Sequence, residues 1–120
     1  MKQKVNSVSY LAKAEFKFMN GVYDLVALPS GAEVVKVSLE VVGNPSETGN
    51  ISVGFKDETQ KNYFLDSADI ANQKVVTSAK DYTATSNKVV VAEVKNAGSK
   101  DAKGVLRVLY FLPSMIEVEY

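Results

Sequence analysis

Carboxylates are the side chains of this 120-residue chain with the greatest capacity for chemistry, because the sequence contains neither cysteine nor histidine. That composition excludes disulfides, thiolate metal ligands and cysteine nucleophiles, and it removes the commonest general base. Glycoside hydrolysis would need two carboxylates about 5–9 Å apart in a cleft. The acidic candidates lie on or beside predicted strands: Glu15, Glu33, Glu40, Asp57, Glu93 and Glu117. Most occupy the polar phase of an alternating strand, where exposure to water accounts for them, so we do not predict an enzyme.

Two acidic clusters could offer oxygen ligands to calcium, at residues 57–58 and 66–69. Neither has the spacing or the glycine of a calcium-binding loop. Aspartate and serine are also favoured in turns and caps for their own hydrogen bonding, so we expect no metal site and no other cofactor. Residues 80–85 mix aromatic, hydroxyl and charged groups, as ligand-contacting loops do. We favour the interpretation that Tyr82 in this loop covers one end of the fold.

The charge balance argues against a nucleic-acid partner. Fourteen lysines and arginines match fourteen aspartates and glutamates, and Arg107 is the single arginine. Nucleic-acid affinity depends mainly on neutralising phosphates, which a neutral chain does poorly. No apolar stretch approaches the length of a membrane span or of a signal-peptide core. We therefore expect no nucleic-acid binding, no membrane association and synthesis in a cytoplasm.

Valine dominates the apolar residues, with 19 copies against 8 of leucine, and it is a residue type that favours strands. Apolar and polar residues alternate with a period of two, or apolar residues form short runs, at residues 13–18, 22–28, 33–42, 51–56, 63–65, 74–78, 88–95, 105–112 and 115–120. Turn-forming residues separate these segments at spacings near ten residues. Such a pattern is typical of an antiparallel β-sandwich or barrel. We predict an all-β, jelly-roll-like antiparallel sandwich of seven to nine strands.

Several local signals refine this prediction. Asn20-Gly21 predicts a hairpin turn. Residues 66–72 could begin a short helical turn with Asp66 or Ser67 as its cap. Gly54 lies inside a strand pattern and predicts a bulge or a close backbone approach. Asp24 interrupts an apolar strand, which suggests a sheet edge.

The length predicts a single domain, because two independent cores would leave about 60 residues each. We divide the chain into an N-terminal arm at residues 1–12 and one β-sandwich domain at residues 13–120. The two-sided apolar character of residues 88–95 predicts a central strand. Residues 115–120 form a closing strand that either completes its own sheet or adds to a neighbouring subunit.

The order of these segments resembles the small β-sandwich structural proteins of tailed bacteriophages. The resemblance covers roughly residues 13–112. It depends on six segments: Val22-Tyr23-Asp24-Leu25-Val26-Ala27-Leu28, the turn Pro29-Ser30-Gly31-Ala32, the long valine-rich strand from Glu33 to Val42, the strand from Ile51 to Asp57, the aromatic loop Tyr63-Phe64-Leu65, and Gly104 to Tyr110. The pattern is similar to that of capsid cement or decoration proteins, which bind the outside of the head shell. These are patterns of residue type rather than fixed motifs.

The resemblance implies a non-enzymatic protein located on the exterior of the virion capsid after synthesis in the host cytoplasm. It implies two partners, the major capsid protein and further copies of the chain, most commonly as a trimer. We predict that the arm and an aromatic segment contact the partner, through Val5, Val8, Tyr10, Leu11, Tyr63 and Phe64.

Two other functions remain open at the level of the sequence. The first is a carbohydrate- or receptor-binding sandwich of a phage fibre or tail, which would present an apolar or aromatic groove with converging polar groups. Tyr63 and Tyr82 are the side chains we would then test. The second is a lyase or hydrolase that uses lysine or tyrosine chemistry, such as a polysaccharide depolymerase.

Overall fold

A computed structural model describes residues 2–6, 8–43, 49–69, 75–97, 102–112 and 115–119, with the backbone alone at 2–6, 67–69 and 115–119. Every regular element in this part of the chain is a β-strand. The strands are β1 (Lys2–Asn6), β2 (Ser9–Lys17), β3 (Gly21–Leu28), β4 (Glu33–Gly43), β5 (Asn50–Phe55), β6 (Leu65–Asp69), β7 (Val75–Ser78), β8 (Tyr82–Thr83), β9 (Lys88–Lys95), β10 (Ala102–Phe111) and β11 (Met115–Glu119). The valine-rich alternation therefore produces the all-β structure that it predicts.

Nine of these strands form two antiparallel sheets. The first sheet has the order β2-β10-β4-β7, with the two-residue β8 also beside β4, and the second has the order β3-β9-β5-β6. The chain alternates between the sheets from β2 to β5 and again from β8 to β10, and the first and last strands of the sandwich, β2 and β10, pair with each other. This is the connectivity of a jelly roll. The predicted sandwich and its number of strands are confirmed.

The core lies between the two sheets and is built from the inward phase of each alternating strand. Leu39 pairs with Leu106, and Val37 pairs with Val108, across β4 and β10. The second sheet contributes residues such as Ile51, Val53, Val90 and Ala92, which like those four are fully buried. Burial of one such Val, Leu or Ile side chain is worth about 1.5–3 kcal/mol, so this double layer is the main source of stability.

A two-stranded ribbon, β1 paired with β11, continues from the sandwich. Its register places Lys2 opposite Glu119 and Asn6 opposite Met115. The Leu112 amide donates to the Val8 carbonyl at 2.9 Å and links the ribbon to the β2–β10 pair. The closing strand thus pairs within its own chain. The predicted boundary between arm and domain at residue 12 falls inside β2, which begins at Ser9 rather than at Lys13.

Two local predictions are wrong. Asn20-Gly21 does not form a hairpin, because β2 belongs to the first sheet and β3 to the second. The Asn20 side chain instead accepts a hydrogen bond from the Ala97 amide at 2.8 Å, which ties together two crossings between the sheets. The predicted helical turn at residues 66–72 is replaced over its described part by β6, which pairs with β5. The rest of that turn lies outside the described residues.

Other local predictions are confirmed. Strand β9 is central, between β3 and β5, and β7 occupies the predicted strand at residues 74–78 except for Lys74, which is not described. Asp24 lies on the edge strand β3, where its carboxylate accepts a hydrogen bond from Lys56 at 2.7 Å. A charge at such a position discourages pairing with another sheet edge.

Gly54 marks a close backbone approach, as its position in a strand suggested. A Cβ at this position would lie 2.6 Å from the Asn62 amide nitrogen and 2.6 Å from the Lys61 carbonyl carbon. Its cross-strand partner Val91 is fully buried, although it lies outside the main core cluster. The loop after β5 therefore folds over the outer face of the second sheet and covers Val91.

Gly54→Ala should lower the free energy of unfolding by about 1–3 kcal/mol, the usual cost of overpacking. Strand propensity alone predicts that Gly54→Ala raises the free energy of unfolding, because glycine weakens strands. Gly104→Ala is the comparison, since the three atoms nearest its Cβ would all belong to the buried ring of Phe16, within 2.7 Å, so that the clash there is with a side chain instead of with backbone. Urea unfolding of the three proteins would measure both effects. Wild-type stability in Gly54→Ala would contradict the close approach.

Candidate interaction surface

An aromatic cluster closes one end of the sandwich. The ring of Phe55, at the end of β5, lies 5.3 Å from the ring centroids of both Tyr63 and Phe64 and 4.5 Å from that of Tyr82. Phe64 is only 6% exposed and belongs to the core. Tyr82 is half-buried and covers the sandwich end, as expected from the sequence. The rings therefore pack on one another.

Tyr63 is fixed in this cluster by polar contacts. Its hydroxyl donates to the Asp81 carbonyl at 3.0 Å, and Lys80 Nζ lies 3.9 Å from the centre of its ring. Desolvation, with a smaller effect from the Asp81 charge, raises the pKa of the Tyr63 hydroxyl above its ordinary value. Of the two residues predicted to contact a partner here, Phe64 is buried and Tyr63 has partners within the chain, and a contact of either with another protein stays a prediction.

The candidate acidic residues are distributed among cross-strand ion pairs and hydrogen bonds rather than gathered in a cleft. Glu15 pairs with Lys103 at 3.3 Å, and Glu40 pairs with Arg107 at 3.1 Å. Glu33 accepts a hydrogen bond from the Thr83 hydroxyl. Over the described residues, no group of three or more acidic side chains is arranged to hold a metal ion. The same residues include no helix that is long and apolar enough to cross a membrane.

Asp57 and Lys88 form the shortest ion pair among the described side chains, with 2.5 Å between Asp57 Oδ2 and Lys88 Nζ. The hydrogen bond from Lys88 lowers the pKa of the Asp57 carboxyl below 3.8, and the same bond raises the pKa of Lys88 above 10.5. The Asp57 side chain is 59% exposed and that of Lys88 is 21% exposed, so water screens the pair from one side and it contributes little stability. It joins the loop after β5 to the start of β9.

The pKa shifts of Asp57 and Lys88 define how the contribution of this ion pair to the stability of the fold changes with pH. The depressed pKa of Asp57 stabilises the fold above about pH 3.8, and this contribution is lost as the pH falls through the folded pKa. The Lys88 contribution is present below its unfolded pKa and is lost as the pH rises through the folded one. Asp57→Asn should therefore lower Tm slightly at neutral pH, and its difference from wild type should shrink under strongly acidic conditions. Asp81→Asn, which removes no ion pair, is the control. A difference that does not change with pH would refute this account.

A polar depression of about 350 Å³ lies on the outer side of the second sheet. It is lined by Ser52, Thr59, Gln60, Lys61, Asn62, Asp66, Glu93 and Lys95. None of these lining residues is aromatic, so the depression lacks the stacking platform that carbohydrate recognition commonly uses.

A second depression, of about 310 Å³, has a different character. It lies on the outer side of the first sheet and is lined by Leu11, Lys36, Ser38, Arg107 and Leu109. We call these five residues the basic-apolar face. Leu109 on β10 pairs with Leu11 on β2 and with Lys36 on β4. Two residues further along the strands, Arg107 pairs in the same way with Lys13 and Ser38.

A register shift between Leu109 and Tyr110 lies next to Lys36, which itself follows the outward alternation of Ser38 and Glu40. Tyr110 pairs with Val34, so β4 has one extra residue, Val35, at this point. Both Val35 and Lys36 are exposed, although strict alternation would bury one of them. A β-bulge re-aims side chains in this way.

Of the predicted contact residues near the N-terminus, Leu11 lies on the basic-apolar face, whereas Tyr10 belongs to the opposite phase of β2 and lies on the other side of the sheet. Leu11 is 63% exposed, which is unusual for a leucine in a sandwich strand. Tyr10 is 48% exposed and stacks on Tyr110 with 5.8 Å between ring centroids. Val8 is half-buried, and Val5 lies in β1, where only the backbone is described. The prediction did not include Leu109, Lys36 or Arg107, although the alternation of β10 gave Arg107 and Leu109 a common face.

Comparison with solved structures identifies the family. A chain in the acid-stable capsid of Helicobacter pylori bacteriophage KHP30 is 77% identical in sequence and superimposes with a TM-score of 0.90. The alignment covers 100% of each chain. The chain belongs to this family of bacteriophage capsid proteins. No protein-family model matches the sequence, and no curated protein matches it.

The fold of this capsid-protein family also occurs at much lower sequence identity. A chain of the cyanophage Pam1 capsid asymmetric unit is 21% identical with a TM-score of 0.71, over 90% of this chain and 87% of that one. A chain of the Ralstonia phage GP4 capsid is 14% identical with a TM-score of 0.63, over 90% and 86%. At these identities the likeness establishes a shared fold and nothing more.

Proposed function

We propose that this chain is a cement, or decoration, protein that binds the outside of the major capsid protein shell and stabilises the head without catalysing a reaction. The observation that carries the proposal is the 77% identity, over the full chain, to a component of a phage capsid. The structure is compatible with this role, because the sandwich presents an exposed basic-apolar face and its acidic residues are occupied in cross-strand contacts. Binding only to the assembled shell stabilises that state by mass action.

The proposal includes a homotrimer as the binding unit. Several weak contacts made at once gain avidity without any new contact. In this arrangement Val8, Tyr10 and Leu11, together with Val5 on β1, supply contacts to the shell or to neighbouring copies. Tyr10 and Leu11 are the best placed of these, because both are exposed.

The test is reconstitution on phage shells that lack the chain. Added protein should bind saturably, appear on the shell exterior by electron cryo-microscopy, and raise the temperature at which the shells disrupt. Light scattering of the free protein should give about 39 kDa, three times the chain mass of 13.0 kDa. Failure of wild-type protein to bind shells, or density inside the shell, would refute the cement role. A monomeric mass would refute the trimer.

A further inference from the structure

Three lysines differ from the other lysines with described side chains in having no partner among the described residues. Each of the other six, Lys56, Lys61, Lys80, Lys88, Lys95 and Lys103, contacts a carboxylate, a backbone carbonyl or an aromatic ring. Lys13, Lys17 and Lys36 are the exceptions within the same residues. All three lie on the outer side of the first sheet, because the register aligns them with Lys103, Arg107 and Leu109 of β10.

This side of the sheet therefore carries an excess of positive charge, although the whole chain is neutral. Five basic side chains (Lys13, Lys17, Lys36, Lys103 and Arg107) share it with three acidic ones (Glu15, Glu33 and Glu40). The acidic side chains are already engaged with Lys103, Thr83 and Arg107, respectively. The charges without a partner are thus all of one sign.

The same side has exposed apolar surface at the centre of the basic group. Leu11 and Leu109 pair across β2 and β10, and they line the depression together with Lys36 and Arg107. Lys13 follows in the next row, about 7 Å along the strand. An apolar hollow with a basic rim fits a ligand that has an apolar side chain next to carboxylates.

We propose that the basic-apolar face is the shell-binding surface, and that it receives a segment of the major capsid protein with an apolar residue flanked by Asp or Glu. This inference rests on the proposed cement function. Charge complementarity argues for an acidic partner, because Lys13, Lys17 and Lys36 contact no carboxylate among the side chains that the structure describes. The leucines argue for a protein segment rather than nucleic acid, since a phosphate backbone would leave them exposed.

The test compares two double charge reversals in the full-length protein. Lys13→Glu with Lys36→Glu reverses the basic rim. Lys56→Glu with Lys95→Glu makes the same change in net charge on the second sheet, at lysines whose side chains are 59% and 65% exposed. Circular dichroism and thermal unfolding would first show that both proteins fold. Binding to shells lacking the chain is then measured by sedimentation at several salt concentrations.

We expect the Lys13/Lys36 variant to bind at least tenfold more weakly than wild type, and the Lys56/Lys95 variant to bind within about threefold. Wild-type affinity should fall as salt rises, and that dependence should be reduced in the Lys13/Lys36 variant. Leu11→Ser should weaken binding without changing the salt dependence.

Three results would overturn this inference while leaving the cement function intact: equal binding by wild type and the Lys13/Lys36 variant, a variant defect confined to the oligomeric mass, or free DNA competing with shells for wild-type protein. The second would make the face an interface between copies, and the third would make it a nucleic-acid site. Absence of wild-type binding would overturn the cement function and this inference together.

Discussion

Phe55→Ala should lower the free energy of unfolding by about 3–5 kcal/mol, as is usual when a buried phenylalanine is truncated. Phe55 is only 3% exposed, and its ring is the centre of the aromatic cluster, in contact with Tyr63, Phe64 and Tyr82. Its removal would leave a cavity that the surrounding rings can fill only by abandoning their own contacts. The expected loss is a large part of the 5–15 kcal/mol that is typical of a whole domain.

Chemical denaturation followed by circular dichroism would measure this loss. Tyr10→Ala is the matched control, because Tyr10 also stacks on another ring, that of Tyr110, but is half exposed. It should cost about 1 kcal/mol. Equal losses in the two variants would mean that Phe55 is not the centre of the end cluster.

Leu39→Ala and Leu106→Ala should each cost about 2–5 kcal/mol. The two residues face each other across β4 and β10, and both are fully buried between the sheets. Because they share one region of the core, the second truncation enlarges an existing cavity. The double variant should therefore lose less than the sum of the single variants, by about 0.5–3 kcal/mol.

A double-mutant cycle from urea unfolding would measure that coupling. Leu11→Ala serves as the control, because its side chain is largely exposed, and it should change stability by less than about 0.5 kcal/mol. Strict additivity for Leu39 and Leu106 would show that they do not share a cavity. A large loss for Leu11→Ala would show that its side chain contributes to the core rather than to the outer surface.

The sandwich could be predicted because period-two alternation is a local signal that burial on one face imposes on each strand. The alternation in residues 33–42 and 105–112 corresponds to β4 and β10, and the two-sided apolar run at 88–95 corresponds to the central β9. These patterns fix which side chains face the core. They do not determine which strand lies next to which.

The two wrong predictions rest on local sequence signals, whereas the structure of these segments is decided by pairing with distant strands. Asn20-Gly21 marks a reversal of the chain, but the sequence does not state whether the next strand stays in the sheet or crosses to the other one. At residues 66–69 the capping residues indicated a helical turn, yet pairing with β5 determines a strand. Tertiary pairing outweighs such preferences because each ladder satisfies a full row of backbone groups.

The interaction surface was only partly accessible to sequence reasoning for a similar reason. The sequence predicts Tyr10 and Leu11 as contact residues because they are apolar and lie near the N-terminus. Leu109 joins Leu11 only because β10 lies beside β2, and Lys36 joins them only because β4 lies on the other side of β10. The lack of partners for three lysines on one side is a property of the fold. No spacing in the sequence encodes it.

The strand order also bears on synthesis. Strand β10 lies between β2 and β4, and β9 lies between β3 and β5, so each sheet lacks a middle strand until residues 88–111 have left the ribosome. Among the earlier strands only β4 could pair with β7 and β8, and β5 with β6, so that neither layer could close. We therefore expect folding to be largely post-translational and slow, as for other chains dominated by distant pairings. A nascent chain halted before residue 88 should be sensitive to protease along its whole length.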